Sequence, residues 1–287
     1  MAQFPRPVIM VSAVTEKGAE TTLEALSAGA FDYVPKQLSS SSLEVAHIHN
    51  ELASKIRAAA ESSQSRAIAS NSKKPPQHAP IAARGPASAT PAVVAIGVST
   101  GGPKALEQIL PLFPADFPVP ILIVQHMPVG FTTPLARRLN SLCPITVKEK
   151  EADGGELIRP ATVYIAPAGL HMRVVGRSSD SKPAISLHRH PEDALHIPSV
   201  DELMSSVALV FKNRAIGVIM TGMGSDGAAG MNTIFRQGGL TIGQDETSCA
   251  VYGMPKACAQ LGILTQVLSL SDIPTQIMRA TRHRRRA

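Results

Sequence analysis

Short apolar runs alternate with segments of helical periodicity along most of this chain of 287 residues. Such runs are typical of buried strands, and apolar positions three and four apart are typical of helices. We predict strands at 93–98, 121–125, 145–148, 162–166, 215–220, 240–244 and 266–268. We predict helices from Pro103, at 135–142, at 199–211, after Gly227, at 255–260 and at 273–281. Alternating apolar positions within 171–187 favour an antiparallel hairpin or edge.

This order predicts an α/β fold, a doubly wound and mostly parallel sheet with helices on both faces. In such sheets the functional site lies outside the carboxyl ends of the strands. Residues that directly follow a predicted strand are therefore the first candidates for chemistry.

The first 61 residues form a separate, smaller α/β pattern. Strands are predicted at 7–12 and 31–34, and helices at 21–28, ending at Gly29, and at 43–60. Two parallel strands are too few for a doubly wound sheet, so we expect a partial domain. Residues 62–91 are rich in Ser, Ala, Pro and Lys and predict a flexible linker. A larger α/β domain at 92–281 and a basic tail at 282–287 complete the predicted organisation.

The distribution of charge changes how the net charge of +6 is interpreted. Residues 62–92 and the segment from Arg279 onward together contain nine Lys and Arg residues and no Asp or Glu. Their nine positive charges exceed the net charge of +6 for the whole chain. The remainder is slightly acidic, and only 3% of the residues are aromatic, with no Trp. We therefore expect no nucleic-acid partner. Without a signal peptide, an apolar span or a disulfide pattern among three cysteines, we expect a cytoplasmic protein with no membrane insertion.

Candidate chemistry begins at Gly97-Val-Ser-Thr-Gly101, which matches G-x-S-x-G between a predicted strand and a helix. This pattern exposes a serine on a sharp strand-to-helix turn. His126 follows the next predicted strand, and Asp226 lies in the loop after 215–220. A histidine whose tautomer is fixed by a carboxylate can activate a serine hydroxyl, so the three residues suggest a Ser-His-Asp site.

Two alternatives stay open at this point. Asp245 also follows a strand, and reasoning from the residues does not separate it from Asp226 as the acid. His188, His190 and His196 suggest metal binding, but they lack the spacing of known zinc motifs, so we expect no metal. The order Ser, His, Asp also differs from that of the α/β-hydrolases, in which the acid precedes the histidine.

Six segments resemble the CheB-type chemotaxis protein-glutamate methylesterases, which are also protein-glutamine glutaminases. The resemblance implies that Ser99 is the nucleophile, His126 the base and Asp226 the orienting acid, with Thr100 and Met223 at the oxyanion or substrate. Leu195 and Ile197 stand where the family often has an Arg pair, which puts substrate contacts there in question. The segments are AIGVSTGG (95–102), VQHMP (124–128), YIAP (164–167), PSVD (198–201), TGMGSDGAAG (221–230) and GMP (253–255).

Residues 1–61 resemble the C-terminal half of a response-regulator receiver domain. Ser12, Tyr33 and Lys36 match the family's hydroxyl, switch aromatic and lysine. The phosphoacceptor aspartate and acidic metal ligands of receivers belong to the half that would precede Pro5, so we expect a truncated receiver. A histidine kinase is an expected partner only if a full receiver exists.

The resemblance implies hydrolysis of glutamate methyl esters on methyl-accepting chemotaxis receptors, with deamidation of receptor glutamines through the same acyl-enzyme route. No metal or organic cofactor is implied. Two other functions remain open: an esterase for a small soluble ester, and a non-enzymatic signalling adaptor. A deep apolar pocket would favour the first, and absence of ester turnover the second.

Overall fold

The computed structural model describes residues 6–13, 15–36, 48–61, 89–150, 156–176, 182–192 and 194–282. The chain divides into two compact units, Met1–Pro80 and Ile81–Ala287. Most of the predicted linker and the last five residues of the tail lie outside the described residues. Within those ranges, every helix is too short or too polar to span a bilayer.

The first unit contains the predicted strand-helix-strand-helix order. Its elements are β1 (Ile9–Ala13), α1 (Glu16–Ser27), β2 (Asp32–Lys36) and the helical residues 48–61, here α2. The two strands pair in parallel, with Ser12 opposite Pro35. Helix α1 begins earlier than predicted because Thr15 caps it, its hydroxyl accepting a hydrogen bond from the Gly18 N–H at 3.0 Å. Residues 43–47 of the second predicted helix lie outside the described residues.

The second unit is built on a sheet of seven parallel strands in the order β12-β11-β10-β3-β4-β7-β5. The predicted strands are all present, with small shifts at their ends. They are β3 (Val93–Val98), β4 (Ile121–Gln125), β5 (Thr146–Glu149), β7 (Thr162–Ile165), β10 (Ala215–Ile219), β11 (Leu240–Gln244) and β12 (Gln266–Leu268).

Helices and a small second sheet surround these strands. The helices are α3 (Gly102–Ile109), α4 (Thr132–Leu142), α5 (Val200–Phe211), α6 (Ala228–Arg236), α7 (Met254–Gln260) and α8 (Asp272–Arg282). The predicted hairpin is β8 (His171–Val175) paired antiparallel with β9 (Ala184–His188), to which β6 (Glu156–Leu157) adds a third strand. Helix α4 begins before its predicted start because Pro134 is tolerated in a first turn, where N–H groups have no intrahelical partner.

The central strands are buried on both faces. In β3, Val93 and Ala95 belong to a core cluster shared with α5, α6 and α7, whereas Val94 and Ile96 lie outside that cluster and are also fully buried. Successive side chains of a strand point to opposite faces, so both faces of β3 are covered. The doubly wound architecture expected from the sequence is therefore confirmed.

The order of the strands reverses at β3, which makes this the switch point of the sheet. From β3 the chain passes to β4 on one side, whereas β10 and the later strands lie on the other. Ligand sites of open α/β sheets form outside the carboxyl ends of the strands at such a crevice. The loops that follow β3, β4 and β10 consequently meet at one edge.

Gly97 in β3 allows the beginning of α5 to approach the sheet closely. A Cβ at this position would overlap a methyl group of Val200, the first residue of α5. A β-branched valine has one strongly preferred rotamer in a helix and cannot easily turn away.

We predict that Gly97→Ala lowers the free energy of unfolding by about 1–3 kcal/mol, the usual cost of overpacking a core. Gly176→Ala is the matched control, because a Cβ there would meet only Val210 methyl groups at 3.7 and 3.8 Å. Urea unfolding of both variants measures the difference. Equal stability of the two variants would show that α5 can move away from β3.

Candidate active site

Ser99 lies on a strand-to-helix turn at the carboxyl end of β3, as predicted. Its backbone N–H donates to the Thr221 carbonyl at 3.0 Å, which joins this turn to the loop after β10. Its carbonyl accepts the Gly102 N–H at 2.8 Å. Gly101 has a φ of 77°, a conformation that favours glycine, and α3 begins at the next residue. The side chain of Ser99 is half-buried at the mouth of the turn.

His126 occupies the position beside Ser99 on the neighbouring strand. The register pairs Val98 with Gln125, and the His126 N–H donates to the Val98 carbonyl at 3.1 Å. The buried amide of Gln125 donates to the carbonyls of both Ser99 and His126, each at 3.0 Å. One side chain therefore connects the backbones of the candidate nucleophile and base.

The His126 ring is hydrogen-bonded to the carboxylate of Asp226. The distance from Nε2 to the Asp226 Oδ2 is 2.8 Å. Because an ionised carboxylate only accepts hydrogen bonds, Nε2 carries the proton and Nδ1 has the lone pair. Nδ1 is buried and has no hydrogen-bond partner in the part of the chain that the structure describes. This nitrogen is the one available to a serine hydroxyl.

The N-terminus of α5 holds the Asp226 carboxylate in place. Oδ1 accepts hydrogen bonds from the Ser199 hydroxyl at 2.9 Å and the Asp201 N–H at 3.0 Å, and Oδ2 accepts the Val200 N–H at 2.8 Å. Burial alone would raise the pKa of Asp226, but the His126 ring and these backbone donors hold it well below its usual range. Asp226 is therefore ionised throughout the neutral pH range.

A second carboxylate, that of Asp201, makes the equivalent interaction with the N-terminus of the neighbouring helix α6. Asp201, in the first turn of α5, accepts the N–H of Gly230 in α6 at 2.7 Å, while Asp226, just before α6, caps α5. Burial raises the pKa of Asp201 to about 6, the Gly230 N–H opposes this, and the Asp226 charge adds to it. The two helix N-termini thus share a pair of acids whose pKa values are shifted in opposite directions.

The structure separates the two candidate acids. Asp245 accepts hydrogen bonds from the backbone N–H of Ser248 at 2.8 Å and from its hydroxyl at 2.6 Å, within its own turn. Asp226 is the carboxylate bonded to the His126 ring. This geometry favours Asp226 over Asp245 as the orienting acid, and the assignment stays a prediction.

Thr100 and Met223 lie on the two loops that flank Ser99. The Thr100 carbonyl accepts the Thr221 hydroxyl at 2.9 Å. The backbone of Met223 packs closely against Gly253, since a Cβ added to Gly253 would lie only 3.1 Å from the Met223 Cα. Both residues are thus brought to the switch point.

Thr221 organises this region, and sequence reasoning did not single it out. Its hydroxyl also accepts the N–H groups of Ala250 and Val251, at 3.1 and 3.0 Å, and its own N–H donates to the Gln244 amide at 2.8 Å. Gln125 was also missed as a site residue. The available signal was their position, since each is a polar residue at the carboxyl end of a central strand.

The three histidines considered for metal binding are dispersed. The ring of His188 stacks on that of His171 with centroids 5.5 Å apart, His190 is exposed, and the ring of His196 stacks on that of His126. Across the described ranges, no group of three or more His, Cys, Asp and Glu side chains is arranged to hold a metal ion.

In the first unit, Ser12 is the penultimate residue of β1, and Lys36 is the last residue of the adjacent parallel strand β2. The Ser12 hydroxyl is buried and donates to the Gly18 carbonyl at 3.1 Å, while Thr22 donates to it at 2.6 Å. Lys36 is exposed. Tyr33 is buried beneath Lys55, and burial, aided by nearby carboxylates, raises its pKa well above the usual value. Ser12, Tyr33 and Lys36 therefore lie on the two parallel strands of this unit, and their role as receiver residues remains a prediction.

A serine, a histidine and a carboxylate at the switch point of an open parallel sheet define the class as hydrolytic α/β enzymes. The family model of CheB methylesterase matches residues 94–277. The chain is 44% identical to protein-glutamate methylesterase/protein-glutamine glutaminase 2 of Nitratidesulfovibrio vulgaris, over 97% of this chain and 80% of that protein. It is 40% identical to the enzyme of that name from Pyrococcus horikoshii, over 98% of this chain and 75% of that protein.

A solved structure agrees with these relatives. The CheB methylesterase catalytic domain of Thermotoga maritima matches with a TM-score of 0.63 and 39% identity, over 67% of this chain and 99% of that one. The chain belongs to the CheB methylesterase family.

We predict that Asp226→Asn lowers kcat by about 10²–10⁴, because an amide favours the wrong histidine tautomer. Asp245→Asn is the matched control. Its kcat should stay within about twofold of wild type, because the Asp245 carboxylate bonds to Ser248 in its own turn. A twofold change in kcat corresponds to less than about 0.5 kcal/mol in the activation barrier. Methanol release from a methyl-esterified protein substrate measures both. A larger loss from Asp245→Asn would reverse the assignment of the acid.

A second prediction concerns Asp201 and pH. Its pKa is raised in the folded chain from 3.8 to about 6, so the folded state binds the proton more tightly and Asp201 makes stability fall as pH rises through this window. Asp201→Asn keeps an acceptor for the Gly230 N–H and removes this titration.

The unfolding free energy of the Asn variant relative to wild type should therefore increase between pH 4 and 6 and be constant above about 6. Urea unfolding at several pH values measures it. A difference that does not vary across this range would contradict the elevated pKa of Asp201.

Proposed function

We propose that this chain hydrolyses methyl esters of glutamate side chains on methyl-accepting chemotaxis receptors, with Ser99 as nucleophile, His126 as base and Asp226 as orienting acid. The observation that carries the proposal is the 2.8 Å hydrogen bond from the His126 Nε2 to Asp226. This bond leaves the Nδ1 lone pair available for a serine proton.

The proposed reaction begins with proton transfer from the Ser99 hydroxyl to Nδ1 of His126. The oxygen of Ser99 attacks the ester carbonyl carbon and forms a tetrahedral intermediate. As this intermediate collapses, His126 returns the proton to the methoxy group, which leaves as methanol. A water molecule then repeats the sequence on the acyl-enzyme, releasing the glutamate carboxylate and restoring Ser99.

The ionised Asp226 makes this transfer favourable in two ways. It selects the tautomer in which Nδ1 is unprotonated, and its charge stabilises the imidazolium that forms. The His126 ring and the Val200 and Asp201 N–H groups keep the carboxylate ionised, and the Ser199 hydroxyl adds a further hydrogen bond. The acid therefore orients His126 without taking the proton itself.

The developing oxyanion needs donors that are already oriented. We assign this role to the backbone N–H groups of Thr100 and Met223, which flank Ser99 on the loops after β3 and β10. Thr100 follows the nucleophile directly, the position that supplies an oxyanion donor in other serine hydrolases. The bond from Thr221 to the Thr100 carbonyl supports the orientation of this segment.

The same site is suited to amide hydrolysis at receptor glutamines. An amide reaches the same acyl-enzyme after its nitrogen leaves as ammonia with the proton from His126. The names of the relatives, which pair methylesterase with glutaminase, support both activities. The proposed substrates are the cytoplasmic helices of the receptors, which places the enzyme in the cytoplasm.

For residues 1–61 we propose a likeness to the C-terminal half of a receiver, carried by Ser12, Tyr33 and Lys36. The relatives align over nearly all of this chain, so this unit has a counterpart in them. Control by a histidine kinase would require the acidic half that the first 61 residues do not contain.

Ser99→Ala tests the central assignment. We predict that kcat for methanol release from methylated receptor membranes falls about 10⁴–10⁶-fold with the fold intact. Ser141→Ala, at an exposed position on α4, is the matched control and should retain full activity.

Activity above a tenth of wild type in Ser99→Ala would exclude Ser99 as the nucleophile. Two results with the wild-type protein would contradict the proposal that receptors are the substrate. Turnover of a small activated ester without methanol release from receptors would indicate a small-ester esterase. Inactivity on both would indicate an adaptor.

A further inference from the structure

A second histidine covers the flat face of the His126 ring. The ring centroids of His126 and His196 are 4.1 Å apart, and the ring planes differ by 21°. His196 is half-buried and precedes the segment that leads into α5. The proposed reaction leaves this stacked pair unexplained.

The His126 ring needs a second constraint besides Asp226. The bond at Nε2 fixes one point of the ring, and Nδ1 has no hydrogen-bond partner among the described residues. Rotation about the bond joining an imidazole to its Cβ has a broad energy minimum. A ring held at one point can tilt, and tilting changes the direction in which Nδ1 points.

One short segment contacts both the base and its acid. His196 stacks on His126. A few residues later, Ser199, Val200 and Asp201 donate hydrogen bonds to Asp226. The Ile197 carbonyl between them accepts the Gly169 N–H at 3.1 Å, which anchors the segment to the loop after β7. The face of His126 and the carboxylate at its edge are thus positioned by the same piece of chain.

We propose that His196 is a positioning residue that holds the plane of the His126 ring so that Nδ1 faces Ser99. This inference rests on the proposed function of the site. Stacked aromatic rings attract each other beyond the apolar area they bury. When His126 accepts the serine proton, the π face of the neighbouring ring also interacts favourably with the new positive charge. The contact therefore strengthens as the reaction proceeds, which is the condition for raising kcat.

Three variants of His196 distinguish the effect of an aromatic ring from the effect of side-chain volume. His196→Phe keeps the ring, His196→Leu keeps the apolar volume without a ring, and His196→Ala removes both. His190→Ala, an exposed histidine on the same connection, is the matched control. The full-length chain is used throughout, and urea unfolding checks that each variant is folded.

The kinetic readout is methanol release from methylated receptor membranes. We expect Ala and Leu to lower kcat about three- to tenfold with KM within about twofold, and Phe to stay within about twofold of wild type. An increase in KM at unchanged kcat would instead make His196 a substrate contact and overturn the proposal. Equal losses in Phe, Leu and Ala, or no loss in any variant, would overturn it as well.

A spectroscopic readout does not depend on the substrate. NMR of the histidine-labelled chain, with His126 assigned from His126→Gln, reports the ring current of its neighbour. The His126 ring protons should shift downfield in Ala and Leu and remain close to wild type in Phe. Unchanged shifts in Ala would show that the rings do not stack and would overturn the proposal. If wild type releases no methanol, the proposed function fails, while these shifts still decide whether the stack exists.

Discussion

The Asp226 carboxylate and the N-terminus of α5 form the interaction on which the rest of the site depends. The His126 ring and the backbone donors of this helix end keep the acid ionised, and three donors from the helix end hold it beside His126. The N-terminus of a helix favours a negative charge because its first N–H groups have no intrahelical partners. Asp201 makes the reciprocal contact with α6. The packing of two helices therefore sets the position of the proposed orienting acid.

The sheet supplies the second constraint, because its switch point brings three loops to one edge. Ser99 is joined to the loop after β10 by its bond to Thr221, and to His126 through the amide of Gln125. These contacts use backbone carbonyls and N–H groups, so they fix the loops and leave the reacting side chains free. A rigid scaffold that presents reactive groups on loops is the usual arrangement in enzymes.

The orientation of the histidine differs from the familiar serine-protease arrangement. There the acid binds Nδ1 and Nε2 is the base. Here Asp226 binds Nε2, and Nδ1 has no hydrogen-bond partner among the described residues, so the proposed reaction uses Nδ1 as the base. The chemistry requires only one nitrogen oriented by a carboxylate and the other aimed at a hydroxyl. The same roles can therefore be filled on an unrelated fold, with the residues in the order Ser, His, Asp.

The sequence alone determined the strand-helix alternation, the parallel α/β class and the turn at Ser99, because apolar periodicity and glycine positions are local signals. It also placed His126 and Asp226 after strands. Reasoning from the residues alone did not separate Asp245 from Asp226, although the family resemblance implied Asp226. It also missed Gln125 and Thr221, and it did not place His196 beside His126. These matters depend on which loops meet across the sheet and on how α5 and α6 pack. They arise from contacts between residues far apart in the chain, so only the tertiary structure decided them.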